Sequence, residues 1–419
     1  MREGRWWRIG WRNLGRNRRR SIVTASALAI GYFSVVLMVG LLKGLVAEMV
    51  DNGTGIVTGQ VQVHADDYLP DKEVYATIGG RDGADVAALV ATLEADPDVA
   101  AATPRVYGGG LVSTGTATGA ALFLGVDPER EPRVSRLMQS LVRGRQPVAG
   151  AYEVLIGSEL ARTLEAEPGD EIVVVAPAID GSLGNDLFVV AGVFHTGLVD
   201  LDRAFALFPL DVLQSLIALP PSRVHEIAAR VPDPWLAAEA AARLAAELER
   251  GSLPVAAESW MTLRPEMVEY ANLSEAMEWV LMVIVFAMAI FGVANTMLMA
   301  TFERRYEFAL LRALGTTPGA VVRSVLYEAV ALGAIALAAG AAITLPVLVW
   351  WYHAPPSVAW LFGETTLSGA LMRPVLRVEY PWLMGVAAAA ALFGTAVLAA
   401  LYPAVRAARV APADTLSGR

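Results

Sequence analysis

The sequence predicts an α-helical membrane protein with four transmembrane helices and a large α+β extracytoplasmic domain between the first and second of them. Three observations predict this. Of the 419 residues, 55% are hydrophobic and the mean hydropathy is +0.48, a balance that suits a chain shared between bilayer and water. Four apolar runs, 22–42, 279–301, 329–351 and 382–402, reach the roughly 20 residues a helix needs to cross hydrocarbon. Between the first two lie about 230 residues of mixed strand and helix periodicity.

Residues 1–20 hold eight arginines against one acid, Glu3. Trp7, Trp11 and Leu14 fall four and three residues apart, the pattern of an amphipathic elbow helix lying in the headgroup layer. The first span, 21–45, is too long for the apolar core of a cleavable signal and is expected to stay. The arginine excess places the N-terminus in the cytosol. The second span at 274–301, the third at 317–351 and the fourth at 381–405 then return the tail, 406–419, to the same side, with 352–380 as an outer loop. Arg304, Arg305, Arg312, Arg323, Arg406 and Arg409 all fall on the expected cytosolic side, so the charges agree with one orientation. Gly40 and Gly44 have the spacing of close helix packing, within the chain or across a dimer axis.

The domain, 46–273, carries 33 Asp/Glu and 15 Lys/Arg, a net charge of −18, whereas the rest of the chain has 18 basic and 9 acidic residues. That acidity argues against nucleic acid as a partner. With no cysteine, the domain must be held by its own core. Val61 and Val63 alternate with Gln60, Gln62 and His64, a strand with a polar face. Val86, Leu89, Val90 and Leu93 have helical spacing, stopped before Pro97. A second strand and helix pair follows at 224–232 and 234–249. The two pairs bracket a β-rich section at about 150–215, so one lobe interrupted by another is the expected architecture.

The stretch 295–328 sets a short charged segment, 302–316, between two spans. Asn295, Glu303, Arg304, Glu307, Arg312, Ala313, Leu314, Gly315 and Glu328 match in order the pattern around the cytosolic coupling helix of ABC transporter permeases of the FtsX/MacB/LolC/LolE type, which the chain resembles. The resemblance extends to the ending carried by Pro403, Arg406, Arg409 and Pro412, and to the porter-like lobe with its inserted β-rich lobe. The strand after the first span looks most like the LolC/LolE lipoprotein-releasing group, departing from it at Gln60. On this resemblance Glu303, Arg304, Glu307, Phe308, Leu311, Arg312 and Gly315 are expected to couple the chain to an ABC ATPase, with Arg304, Phe308 and Leu311 giving a mixed basic and apolar surface. Further partners it implies are a second permease copy or a paralogue and a lipoprotein or amphiphilic substrate, in the inner membrane. ATP-driven motion would then pass along the second span to the periplasmic domain. The alternatives are an efflux permease for peptides or macrolide-like compounds and an FtsX-like scaffold regulating a cell-wall hydrolase.

The ATPase itself is expected on a separate subunit. A phosphate-binding loop needs a Gly-Lys step, and the two lysines, Lys43 and Lys72, follow Leu42 and Asp71. No catalytic residue, cofactor or metal is expected: the four histidines are scattered and no Gly-x-Ser-x-Gly elbow occurs. Asp200 and Asp202 read as a solvated or Arg203-paired loop, and Glu328 as an acid paired by Arg323 or by the coupling helix.

Overall fold

The computed structural model describes residues 18–68, 75–80, 84–251, 253–357, 365–367, 370–372, 375–411 and 415. Most of the expected elbow helix, and Pro412, lie outside the described residues. The chain divides into two compact units, one of Met1–Val46, Ala271–Ser357 and Val375–Arg419, the other of Ala47–Tyr270 and Val358–Pro374.

The first unit holds helices long and apolar enough to cross a membrane. These are Arg18–Gly53, whose last turns belong to the second unit, Pro265–Glu303, which begins there, Pro318–His353 and Trp382–Ala408. They overrun the apolar stretches because a helix satisfies its own backbone groups wherever the side chains can be accommodated. Lys43, past the first apolar run, lies 3.7 Å from the buried carboxylate of Glu278. Without a hydrophobic drive between helices in lipid, packing relies on small residues that let backbones approach. Ala329, Gly333, Ala336 and Gly340 of the third long helix are buried, as are Ala388, Ala396, Ala400 and Ala404 of the fourth. Gly40 and Gly44 both take part in close packing inside the chain. Glu379 N donates to Gly40 O at 3.0 Å, and a Cβ on Gly44 would stand 2.0 Å from the Arg377 carbonyl oxygen.

Among the described residues, the main sheet system of the second unit has ten strands: β1 (Val61–Ala65), β2 (Ala101–Ser113), β3 (Thr118–Val126), β4 (Leu141–Gly144), β5 (Glu153–Gly157), β6 (Glu171–Pro177), β7 (Leu183–Phe194), β8 (Phe205–Pro209), β9 (Glu226–Arg230) and β10 (Val255–Ser259). β10, β1, β9 and the start of β2 form an antiparallel sheet. Two helices pack on it. Val86–Ala95 is capped by Asp85, whose carboxylate accepts from Ala87 N, and buries Leu89, Val90 and Leu93. Ala237–Arg250 buries Ala237, Ala240, Ala241, Leu244 and Leu248, one stripe at spacings of three and four.

Beyond this sheet, β2, β3, β8, β5, β7 and β6 pair in succession, and β6 pairs back onto β2, closing a ring. Phe123, Phe188 and Phe208 fill its interior edge to face, with ring centroids 5.2 and 5.0 Å apart. The closed ring joins strands of the 150–215 section to β3 and the far half of β2. Gly110 permits the closure, since a Cβ there would lie 2.0 Å from the Val175 carbonyl oxygen.

β1 departs from its expected two-faced character: all five residues are buried, Gln62 and His64 included. β9 and β10 flank it on both edges, and Gln62 Nε2 donates to Thr58 O at 2.7 Å to meet the cost of burial. Where β2 leaves the sheet for the ring, Arg105 is fully buried and holds Glu131 by two bonds, of 3.1 and 2.6 Å, and Glu226 by one of 3.2 Å. Tyr107 Oη donates to Glu226 at 2.7 Å. Burial, reinforced by the Glu226 carboxylate, pushes the Tyr107 phenol well above its usual value.

Candidate functional site

The second long helix runs unbroken to Glu303. Arg304 interrupts it for one residue with φ −99° and ψ 12°, and a short helix, Arg305–Ala313, follows. The expected coupling segment, 302–316, is thus the end of one helix, a break and a second helix. Its far end stops because Gly315 takes φ +89°, which favours glycine. Thr316 N then donates to Leu311 O at 3.0 Å and Gly315 N to Arg312 O at 3.1 Å, the paired bonds of a Schellman stop. Pro318 opens the third long helix at its first turn, where its missing N–H costs nothing.

Several polar residues of the segment bond to the unit they belong to. Arg304 donates from Nη1 to Glu328 at 2.8 Å and from Nε to Glu307 at 3.1 Å, and its guanidinium lies 5.1 Å from the Phe308 ring centre. Of the two partners expected for Glu328, the coupling segment provides the one observed. Arg323 bonds Gly319 O instead. Glu303 accepts from Arg20 at 2.9 Å, and Arg312 Nη1 donates to Ala408 O at 2.9 Å. Phe308 is 2% exposed and Ala309 is buried.

Arg304 and Phe308 therefore do not form the outward basic and apolar surface expected of them; they fasten the helix from within. The outward face is carried instead by Tyr306, Leu310 and Leu314, which are 60, 48 and 76% exposed, with Leu311 beside them at 41%. Sequence reasoning passed over the first three as site residues. Their spacing of four is the signal that identifies them, an apolar stripe opposite an anchored one.

In the second unit, Asp202 is not the solvated acid expected but is fully buried, accepting from Thr196 N at 2.9 Å and Thr196 Oγ1 at 2.7 Å. Ser158 Oγ and Asp202 Oδ2 both approach His195 Nδ1, at 2.9 and 2.8 Å. A serine relay needs the imidazole between the other two groups, one on each nitrogen, so this cluster is a structural clasp. Among the described residues, no group of three or more His, Cys, Asp or Glu is placed to hold a metal ion.

A model of the MacB-like periplasmic core domain matches residues 21–247, and one of the FtsX-like permease C-terminal region matches 279–412. The chain is 24% identical to the lipoprotein-releasing system transmembrane protein LolC of Xylella fastidiosa strain Temecula1 over 424 aligned residues, covering 97% of each. It is 24% identical to LolC of Neisseria meningitidis serogroup B, covering 94% of this chain and 93% of the relative. For LolE of Haemophilus influenzae the identity is 23%, with coverage of 78% and 79%. Among solved structures, the periplasmic region of MacB from Actinobacillus actinomycetemcomitans aligns at 15% identity over 52% of this chain and 96% of its own, with a TM-score of 0.37. The extracellular domain of the ABC-type transporter YknZ from Gram-positive bacteria aligns at 12% identity over 48% of this chain and 100% of its own, with a TM-score of 0.33. With the core-domain match covering more than half of its residues, this chain belongs to the ABC transporter permeases that join a MacB-like periplasmic core domain to an FtsX-like C-terminal region.

Proposed function

We propose that this permease works in lipoprotein release from the inner membrane, and that the short helix Arg305–Ala313 docks it onto a separate cytosolic ATPase subunit. The observation that carries the docking is the contrast between the helix's two sides. One is locked by the Arg304–Glu328 and Arg312–Ala408 bonds and by buried Phe308. The other presents Tyr306, Leu310 and Leu314 outward. Clustered exposed apolar side chains rimmed by polar ones mark a protein contact, and a helix fixed at its base moves its helical neighbours when the contact moves. The arginine-rich side of the spans, this helix and both termini are read as cytosolic. Lipoprotein as the substrate rests on relatives named for lipoprotein release that align along nearly the whole chain, and a second permease copy or paralogue completes the assembly.

Co-purification tests the docking. With the chain and its ATPase subunit expressed together, Leu310→Asp with Leu314→Asp is expected to leave the permease in the membrane and lose the ATPase. Undiminished co-purification would move the contact elsewhere. Substrate is tested by lipoprotein release from proteoliposomes holding the assembled complex, where ATP-dependent release is expected. A complex that hydrolyses ATP, expels small amphiphiles and leaves lipoprotein in place would favour efflux.

A further inference from the structure

Where the second and fourth long helices end on the arginine-rich side, a pocket of about 270 Å³ opens between them. Its wall includes Thr301, Phe302, Arg305, Arg406, Arg409 and Val410. Among the described residues no Asp or Glu lines it. The two acids that flank Arg305 in sequence are already engaged: Glu303 holds Arg20 at 2.9 Å, and Glu307 holds Arg304 at 3.1 Å. Arg406 is fixed in place, its guanidinium 4.9 Å from the Phe302 ring centre and bonded to Tyr402 Oη at 3.1 Å. Those contacts occupy one face and one N–H of a group with five donors. Arg305 and Arg409 are exposed and form no ion pair among the described residues.

Depth defines the ligand. The two apolar runs end at Thr301 and Tyr402, and the arginines follow four to seven residues later. At about 1.5 Å per residue they stand roughly 6–10 Å beyond the hydrocarbon edge, which is the level of lipid headgroups. Three guanidiniums at that level, with no neutralising carboxylate among the described residues, present paired N–H donors suited to phosphate oxygens. Exposed Phe302 beside them offers an apolar surface where a lipid's glycerol and first methylenes would lie.

We propose that this pocket binds the phosphate of an anionic membrane phospholipid, with Arg305, Arg406 and Arg409 as its ligands. The site depends on the helices crossing the bilayer and not on the ATPase contact or the substrate.

The test uses the full-length chain purified in detergent, with native mass spectrometry to count lipids retained from added phosphatidylglycerol or phosphatidylcholine, and inorganic phosphate as a competitor. Phosphatidylglycerol is expected to bind at least about tenfold better than phosphatidylcholine, and each Arg→Gln change at 305, 406 or 409 to weaken it about tenfold. The triple Arg→Lys variant is expected to bind more weakly than wild type but better than the triple Arg→Gln variant, because lysine retains the charge while losing the fork. Equal binding of the two lipids, or unchanged phosphatidylglycerol binding in the triple Arg→Gln variant, would overturn the proposal. So would displacement of the lipid by equimolar inorganic phosphate, which would identify a soluble-anion site. Loss of the ATPase subunit from the triple Arg→Gln variant with lipid binding intact would assign the arginines to a protein contact instead. If that variant does not fold, Arg409→Gln alone, at an exposed position, decides between the same outcomes.

Discussion

Arg304 and Glu328, 24 residues apart in sequence, meet at 2.8 Å with only 18% and 13% of their side chains exposed. The bond ties the break after the second long helix to the third. Truncating one partner leaves the other charge half-desolvated, so Arg304→Met or Glu328→Met alone is expected to cost about 1–3 kcal/mol. The Arg304→Met, Glu328→Met pair is expected to recover most of that. Thermal unfolding of the four proteins of this cycle in one detergent measures the coupling, and strictly additive losses would mean that the pair contributes nothing jointly.

Arg105 makes a different prediction because it is fully buried. Arg105→Met removes the guanidinium bonded to both Glu131 and Glu226 and leaves two buried carboxylates. A loss of about 3–5 kcal/mol is expected. Hydrogen exchange should locate it at β2 and β9, where amide protection is expected to collapse first. A variant whose β2 amides stay as protected as the wild type's would show that the network is not what pins this junction.

Asp96 links the helices Val86–Ala95 and Ala237–Arg250 through Arg243, which donates from Nε at 3.0 Å and from Nη2 at 2.9 Å. These hydrogen bonds hold the Asp96 carboxyl below its ordinary value. The folded pKa is the lower one, so the pair contributes stability above the unfolded value of about 3.9 and loses it as pH falls through the folded value. Arg243→Ala is therefore expected to lower stability at neutral pH, and the gap from wild type should close in acid below about pH 4. A gap of constant size across that range would assign the effect to packing.

Gly44 and Gly394 separate two uses of glycine in long helices. A Cβ at Gly44 meets the Arg377 carbonyl oxygen at 2.0 Å, whereas at Gly394 nothing lies within 4 Å. Gly44→Ala should push the 377–379 segment away and destabilise by about 1–3 kcal/mol. Gly394→Ala should be neutral or stabilising by up to about 1 kcal/mol. Melting temperatures in one detergent compare them, and a Gly44→Ala protein as stable as wild type would argue that the segment is loosely held.

The elements of the domain were legible where one face is wet. The helix Ala237–Arg250 is readable from its stripe of alanines and leucines, and Val86–Ala95 from its apolar spacing. β1 misled because its polar residues are buried by neighbours more than 150 positions away in sequence, and period two reports burial only when one face meets water. At the candidate site, the motif around Arg304 and Gly315 was visible, but which residues face inward was not. Phe308 and Leu310 are two apolar residues on the same short helix, one 2% and the other 48% exposed.

By itself the sequence determined the four spanning helices, the place of the large domain between the first two, and the stop at Gly315. Each of these follows from forces acting along the chain: hydropathy summed over about 20 residues and the conformational freedom of one glycine. Only the tertiary structure decided that β6 closes a ring onto β2, that Gly44 packs against Arg377, that Arg304 turns to Glu328, and that three arginines line one pocket. Those arrangements pair groups far apart in sequence, and whether a charge is neutralised or a face covered depends on which distant residue arrives beside it.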